Sequence, residues 1–92
     1  MKRGEIWIER LAEGLDLPGE TVPGQPLIEL AGDRRLLVEH HRGITQYSRE
    51  GICVKVSYGH VHVRGCQLEL SRMTAQQLVI TGQIDGVTLV RR

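Results

Sequence analysis

Phenylalanine is missing from this chain, and Trp7, Tyr47 and Tyr58 are its only aromatic residues. A surface that stacks nucleobases needs more aromatic faces than three scattered rings. Excess charge is missing too: twelve basic and eleven acidic residues leave a net charge of +1. That balance argues against a nucleic-acid binder, which carries a basic face. Only two cysteines occur, Cys53 and Cys66. They are too few for a disulfide framework and read as free thiols behaving as small hydrophobes. No run approaches the roughly 20 apolar residues of a membrane-spanning helix. The opening MKRGEIWIERLAEG carries charges within its apolar run, unlike a signal peptide. These absences predict a cytoplasmic protein with no direct membrane span. Leu, Ile and Val must build the core, which suits close-packed strands. The 92 residues make one small domain, 1–92, whose thin core favours homo-oligomerisation.

What is present is organised around Gly51 to Leu70, GICVKVSYGHVHVRGCQLEL. Ile52, Val54 and Val56 alternate with Cys53, Lys55 and Ser57, as in a strand buried on one side. Tyr58 and Gly59 interrupt, and Val61 and Val63 resume the alternation opposite His60, His62 and Arg64. Gly59 suits a turn with positive φ, so the two runs predict a hairpin. After Gly65 the parity slips, because Val61 and Val63 are odd and Leu68 and Leu70 even. A slip at glycine signals a bulge, corner or turn. A second slip separates Leu78, Ile80 and Ile84 from Val87 and Leu89, near Gly86.

Upstream, Ile8, Leu11, Ala12 and Leu15 fall at i, i+3, i+4 and i+7 and predict one N-terminal α-helix over residues 5–16. Pro18 and Gly19 stop it. Ile6 and Trp7 extend its apolar stripe beyond one docking face and are expected to form a protein-contact patch. Residues 17–26 form a proline- and glycine-rich connector, and 27–90 the β-region. Short strands are expected at 27–30, 34–39, 44–47, 52–57, 60–64, 68–70, 78–81 and 87–90. Residues 71–77 read as a loop or one helical turn. About eight antiparallel strands joined by turns predict a mainly β domain, a small β-sandwich or roll with the helix against it. HVHVRG and LVITG look alike without recurring at a fixed period, which makes a short β-solenoid the second choice. Leu27–Leu30 and Val87–Val90 are the expected sheet edges.

Catalytic signatures are absent. There is no CxxC, HExxH, GxSxG, GxxxxGK[ST] or GxGxxG. Cys53 as a nucleophile would need a base that nothing in the sequence places beside it. His60 and His62 lie at i and i+2 on one strand face, a pattern able to hold zinc or copper with a third ligand from His41, Cys66 or Asp85. Two solvent-facing strand histidines is the plainer reading. The alternative function is therefore a small ligand- or metal-binding β-domain using the His60/His62 face.

A wider pattern spans the chain: Leu15-Asp16-Leu17-Pro18, Pro26, Gly32 and Glu39-His40-His41-Arg42-Gly43-Ile44. It continues through Ile52 with Val54, Gly59, Val61 with Val63, Gly65, Leu68 with Leu70, and Leu78-Val79-Ile80-Thr81-Gly82-Gln83-Ile84. In order and spacing, from about Leu11 to Val90, this resembles the YabP/YqfC family of sporulation proteins. The helix followed by Leu-Asp-Leu-Pro is closer to the YqfC branch. The family usually has Asn or Gly where this chain has His40. The resemblance implies a protein made in the mother cell of an endospore-forming bacterium. It implies no catalytic activity, no catalytic residues and no cofactor. It further implies an assembly or adaptor module peripheral to the forespore membrane, with a YqfD-like membrane-anchored partner. The most recognisable segment is His41-Arg42-Gly43-Ile44. Gly43 would permit a turn and Ile44 start a core strand. His41 either orders this turn through a ring hydrogen bond to backbone, or forms with Arg42 a contact patch for a partner.

Overall fold

The computed structural model describes residues 24–92. The expected helix and its patch residues Ile6 and Trp7 lie outside the described residues. Within them the protein is all β, with six strands: β1 Leu27–Ala31, β2 Arg35–Glu39, β3 Ile44–Tyr47, β4 Gly51–Val56, β5 Gly59–Met73 and β6 Gln77–Arg91. Every pairing is antiparallel, in a single sheet of order β1-β2-β6-β5-β4-β3. The solenoid alternative is thereby set aside.

Six strands replace the expected eight because two of them are long. Residues 60–64 and 68–70 belong to one strand, β5, and 78–81 and 87–90 to another, β6. The parity slips are register shifts inside the β5–β6 ladder, at Arg64/Gly65, Cys66/Glu69 and Leu70/Arg72. Each shift rotates the following side chains, so the strand bends and continues instead of reversing. Residues 71–77 likewise hold no helical turn: β5 runs to Met73, and a tight turn leads into β6.

The bend folds the sheet back on itself. β2 pairs with the start of β6, at Gln77–Thr81, and β4 with the start of β5, at Gly59–Arg64. Were β5 straight, His60 and Met73 would stand about 43 Å apart at 3.3 Å per residue. Yet His40 N–H donates to Gln76 O in the β5–β6 turn, and Arg42 N–H donates to Lys55 O on β4, each at 2.7 Å. Two residues span at most about 7 Å. The two halves of the long hairpin must therefore lie over one another, and segment 40–43 crosses between them.

One core fills the fold. Leu36, Val38, Ile52, Val54, Val61, Val63, Leu68, Leu78 and Ile80 are fully buried in a single cluster drawn from both halves. Leu68 is at the corner, and Leu70 beyond it is only half-buried, packed against the cluster. The corner is closed from both sides by turns. Gly65 N–H and Leu68 N–H donate to Glu50 O and Arg49 O of the β3–β4 turn. Gly82 N–H and Ile84 N–H donate to Arg34 O and Asp33 O of the β1–β2 turn. Backbone groups that the bend removes from the ladder are thus paired again. Tyr47 adds a side-chain clamp, its hydroxyl accepting the Leu70 N–H at 3.2 Å.

Candidate functional site

Segment 40–43 is the first candidate, because it crosses between the sheet halves and carries two of the expected contact residues. His40 begins it with φ +63°. That left-handed conformation is one that Gly and Asn adopt more readily. His41 follows, half-buried. Its Nδ1 accepts the Gly43 N–H at 3.0 Å, and its Nε2 lies 2.8 Å from Thr74 O. A carbonyl only accepts, so Nε2 carries the proton and the ring is the neutral tautomer. The ring hydrogen bond expected to order this turn is present, and a second one ties the turn to the β5–β6 turn. Gly43 meets the bend with φ +109°.

Thr74 is a residue that the sequence reading missed. Its hydroxyl accepts the N–H of Gln76 and Gln77 at 3.2 and 2.9 Å, and its own N–H donates to Gln77 O at 2.7 Å. This self-ordered turn presents Thr74 O to His41. The signal was the threonine itself, a turn-forming hydroxyl inside polar SRMTAQQ. Arg42 is different: its backbone is pinned to Lys55, while its side chain is exposed and in no ion pair among the described residues.

Replacing His41 by alanine is expected to cost about 1–2 kcal/mol, two modest hydrogen bonds whose backbone partners water partly re-satisfies. His41→Asn keeps the short-range bond to residue 43, as Asx turns do, and should recover about half. Urea unfolding of the three proteins checks the order. Equal loss in both variants would mean that the bond to Gly43 contributes nothing.

The second candidate is a shallow concavity of about 390 Å³ on the outer face, lined by Thr45, Gln46, Cys53, His60, His62 and Val90. Register creates it: Cys53 stands between Gln46 and His62, and His60 between Lys55 and Val90. The Cys53 thiol donates to Gln46 Oε1 at 3.4 Å. The His62 ring leans along the strand, with Nε2 3.5 Å from where a Cβ on Gly51 would be. The third ligands considered for a metal are elsewhere. His41 is engaged by Thr74 and Gly43, Asp85 accepts from Gln83, and Cys66 lies past the register shift at the corner. Among the described residues, no three of His, Cys, Asp or Glu come together as a metal site.

Comparison with known proteins places the chain in a family. The model of the YabP family matches residues 24–92, so the chain belongs to that family. It is also similar to an uncharacterized protein of Bacillus subtilis (strain 168), YqfC, with 23% identity over 88 residues, 96% of this chain and 91% of the relative. No solved structure matches the chain significantly. Among the described residues no helix is long and apolar enough to cross a membrane.

Proposed function

We propose that this chain, residues 1–92 acting as one module, is a non-enzymatic sporulation protein that works by protein–protein contact. It acts in the mother cell, peripheral to the forespore membrane, as an adaptor for a YqfD-like membrane-anchored partner. The observation that carries this reading is membership of the YabP family across residues 24–92. The surface supports it at one point. Arg42 projects from a turn whose backbone is fixed on both sides, by His40 N–H to Gln76 O and Arg42 N–H to Lys55 O. A charged side chain on a rigid scaffold binds with little ordering cost. Trp7 and Ile6 belong to the same proposed contact set.

The test is co-purification of the full chain from sporulating cells. A YqfD-like membrane protein is expected among the captured partners. Arg42→Glu should reduce that capture at least about tenfold, as loss of a charge-assisted contact does, without moving the melting temperature. Capture unchanged in both Arg42→Glu and Trp7→Ala would remove these residues from the interface.

A second reading is a small ligand held in the outer-face concavity, favoured by its two histidines and thiol lying on one surface. Elemental analysis and ligand-dependent melting of untagged protein separate it from the first.

A further inference from the structure

Among the described residues, the second half of β6 lacks a neighbour on one side. β2 covers β6 only from Gln77 to Thr81, and the β1–β2 turn reaches as far as Ile84. From Asp85 to Arg91, β5 is the only described strand beside it. The orientation of the free groups follows from the register. Arg92 N–H donates to Tyr58 O, which makes Tyr58/Arg92, His60/Val90 and His62/Thr88 the hydrogen-bonded pairs. Gly86, Thr88 and Val90 thus spend their backbone groups on β5. Val87, Leu89 and Arg91 point theirs outward.

The side chains say what kind of neighbour this edge suits. Leu89 shares the core face with Val61, and Val90 shares the outer face with His60. Leu89 is 49% exposed and Val90 45%. Consecutive apolar residues exposed on opposite faces cannot both be covered by a layer stacked on one face. A strand placed alongside covers both.

We infer that this edge pairs antiparallel with the same edge of a second copy, about a two-fold axis at Thr88. In that register Val87 faces the partner copy's Leu89, and each pair exchanges two backbone hydrogen bonds. Thr88 faces its own counterpart, and Val90 faces Gly86, where no side chain competes. The ends are self-complementary: Asp85 of one copy comes beside Arg91 and Arg92 of the other. Arg91 is already held at this end, its guanidinium 4.9 Å from the centre of the Tyr58 ring. Moving the axis to Val87 would set Leu89 against Asp85, and moving it to Leu89 would set Val87 against Arg91. Both place an apolar residue opposite a charge. Parallel pairing would align Arg91 and Arg92 with their own copies, which like-charge repulsion disfavours. The inference deepens the assembly reading above, and resting on that reading it names self-pairing as one mode of assembly.

The test uses the purified full chain, which needs no sporulation partner, so its failure is distinct from failure of partner capture in cells. Light scattering should show a dimer that dissociates on dilution. Leu89→Lys should weaken it at least about tenfold, a charge on the edge acting as natural edge guards do. In a Cys53→Ser, Cys66→Ser background, Thr88→Cys should form an intermolecular disulfide under mild oxidation. A non-hydrogen-bonded pair sets its Cα atoms about 4.5 Å apart, within disulfide range. Glu29→Cys, exposed on β1, is the control for random collision. A monomer at high micromolar concentration overturns the inference. So does a dimer indifferent to Leu89→Lys, or equal crosslinking at Glu29 and Thr88. Should Leu89→Lys fold poorly, the ratio of Thr88 to Glu29 crosslinking decides.

Discussion

Val63→Asp is expected to abolish the cooperative melting transition. Val63 is fully buried, and its register neighbours are Ile52 on β4 and Val87 on β6. It is therefore enclosed laterally by two apolar residues and faced by the core cluster. Among the described residues no polar or charged residue is buried, so no cation or donor waits on this face for a carboxylate. The substitution removes about 1.5–3 kcal/mol of apolar burial. It adds the several kcal/mol needed to desolvate an unpaired charge or to hold the acid neutral. A domain this small has stability near the low end of about 5–15 kcal/mol, so the sum exceeds what it can lose. His62→Asp, one residue away on the outer face, should stay folded. Circular dichroism and thermal melting of both proteins check the pair. A folded, soluble Val63→Asp protein would overturn the assignment of faces.

That assignment was legible in the sequence because alternation is a local signal. Ile52, Val54 and Val56 are buried as their period of two predicts, and so are Val61 and Val63. The Ser57–Tyr58 turn before Gly59 joins them as the expected hairpin. The slip at Gly65 was legible as a bend. Its consequence was not, since parity reports that a strand changes face but not whether the chain reverses or runs on. Reversal would have needed a full set of turn residues. The segment offers Gly65 alone, and Gln67 instead takes an uncommon φ of +55° inside the strand. The eight expected strands become six for this reason. Pairing over long separation left no local mark either. β2 finds β6 some forty residues downstream, and His41 finds Thr74 thirty-three residues away. The histidine and the turn were visible, but the carbonyl that completes the site was fixed only by the fold.

The bend itself gives the second large effect, Gly82→Ala. Across the corner two glycines do reciprocal work. A Cβ on Gly65 would come 1.9 Å from Gln83 O, and one on Gly82 would come 2.4 Å from Gln67 O. Each strand lets the other's carbonyl approach where its own side chain would stand. The obstacles are backbone atoms of a paired strand, so no rotamer change relieves them. Gly82 also has φ +129°, a conformation that side chains rarely adopt. Backbone strain and overpacking together are expected to cost about 2–5 kcal/mol. Gly32→Ala separates these causes. Gly32 has φ +60° with nothing within 4 Å of a Cβ, so only the left-handed penalty of about 1–2 kcal/mol applies. Urea unfolding should rank wild type above Gly32→Ala and Gly32→Ala above Gly82→Ala. Because the corner brings β2 and β4 into one core, loss at Gly82 should lower both halves in a single transition. Two separable transitions, or a Gly82→Ala protein as stable as Gly32→Ala, would show that the corner does not hold the two halves together.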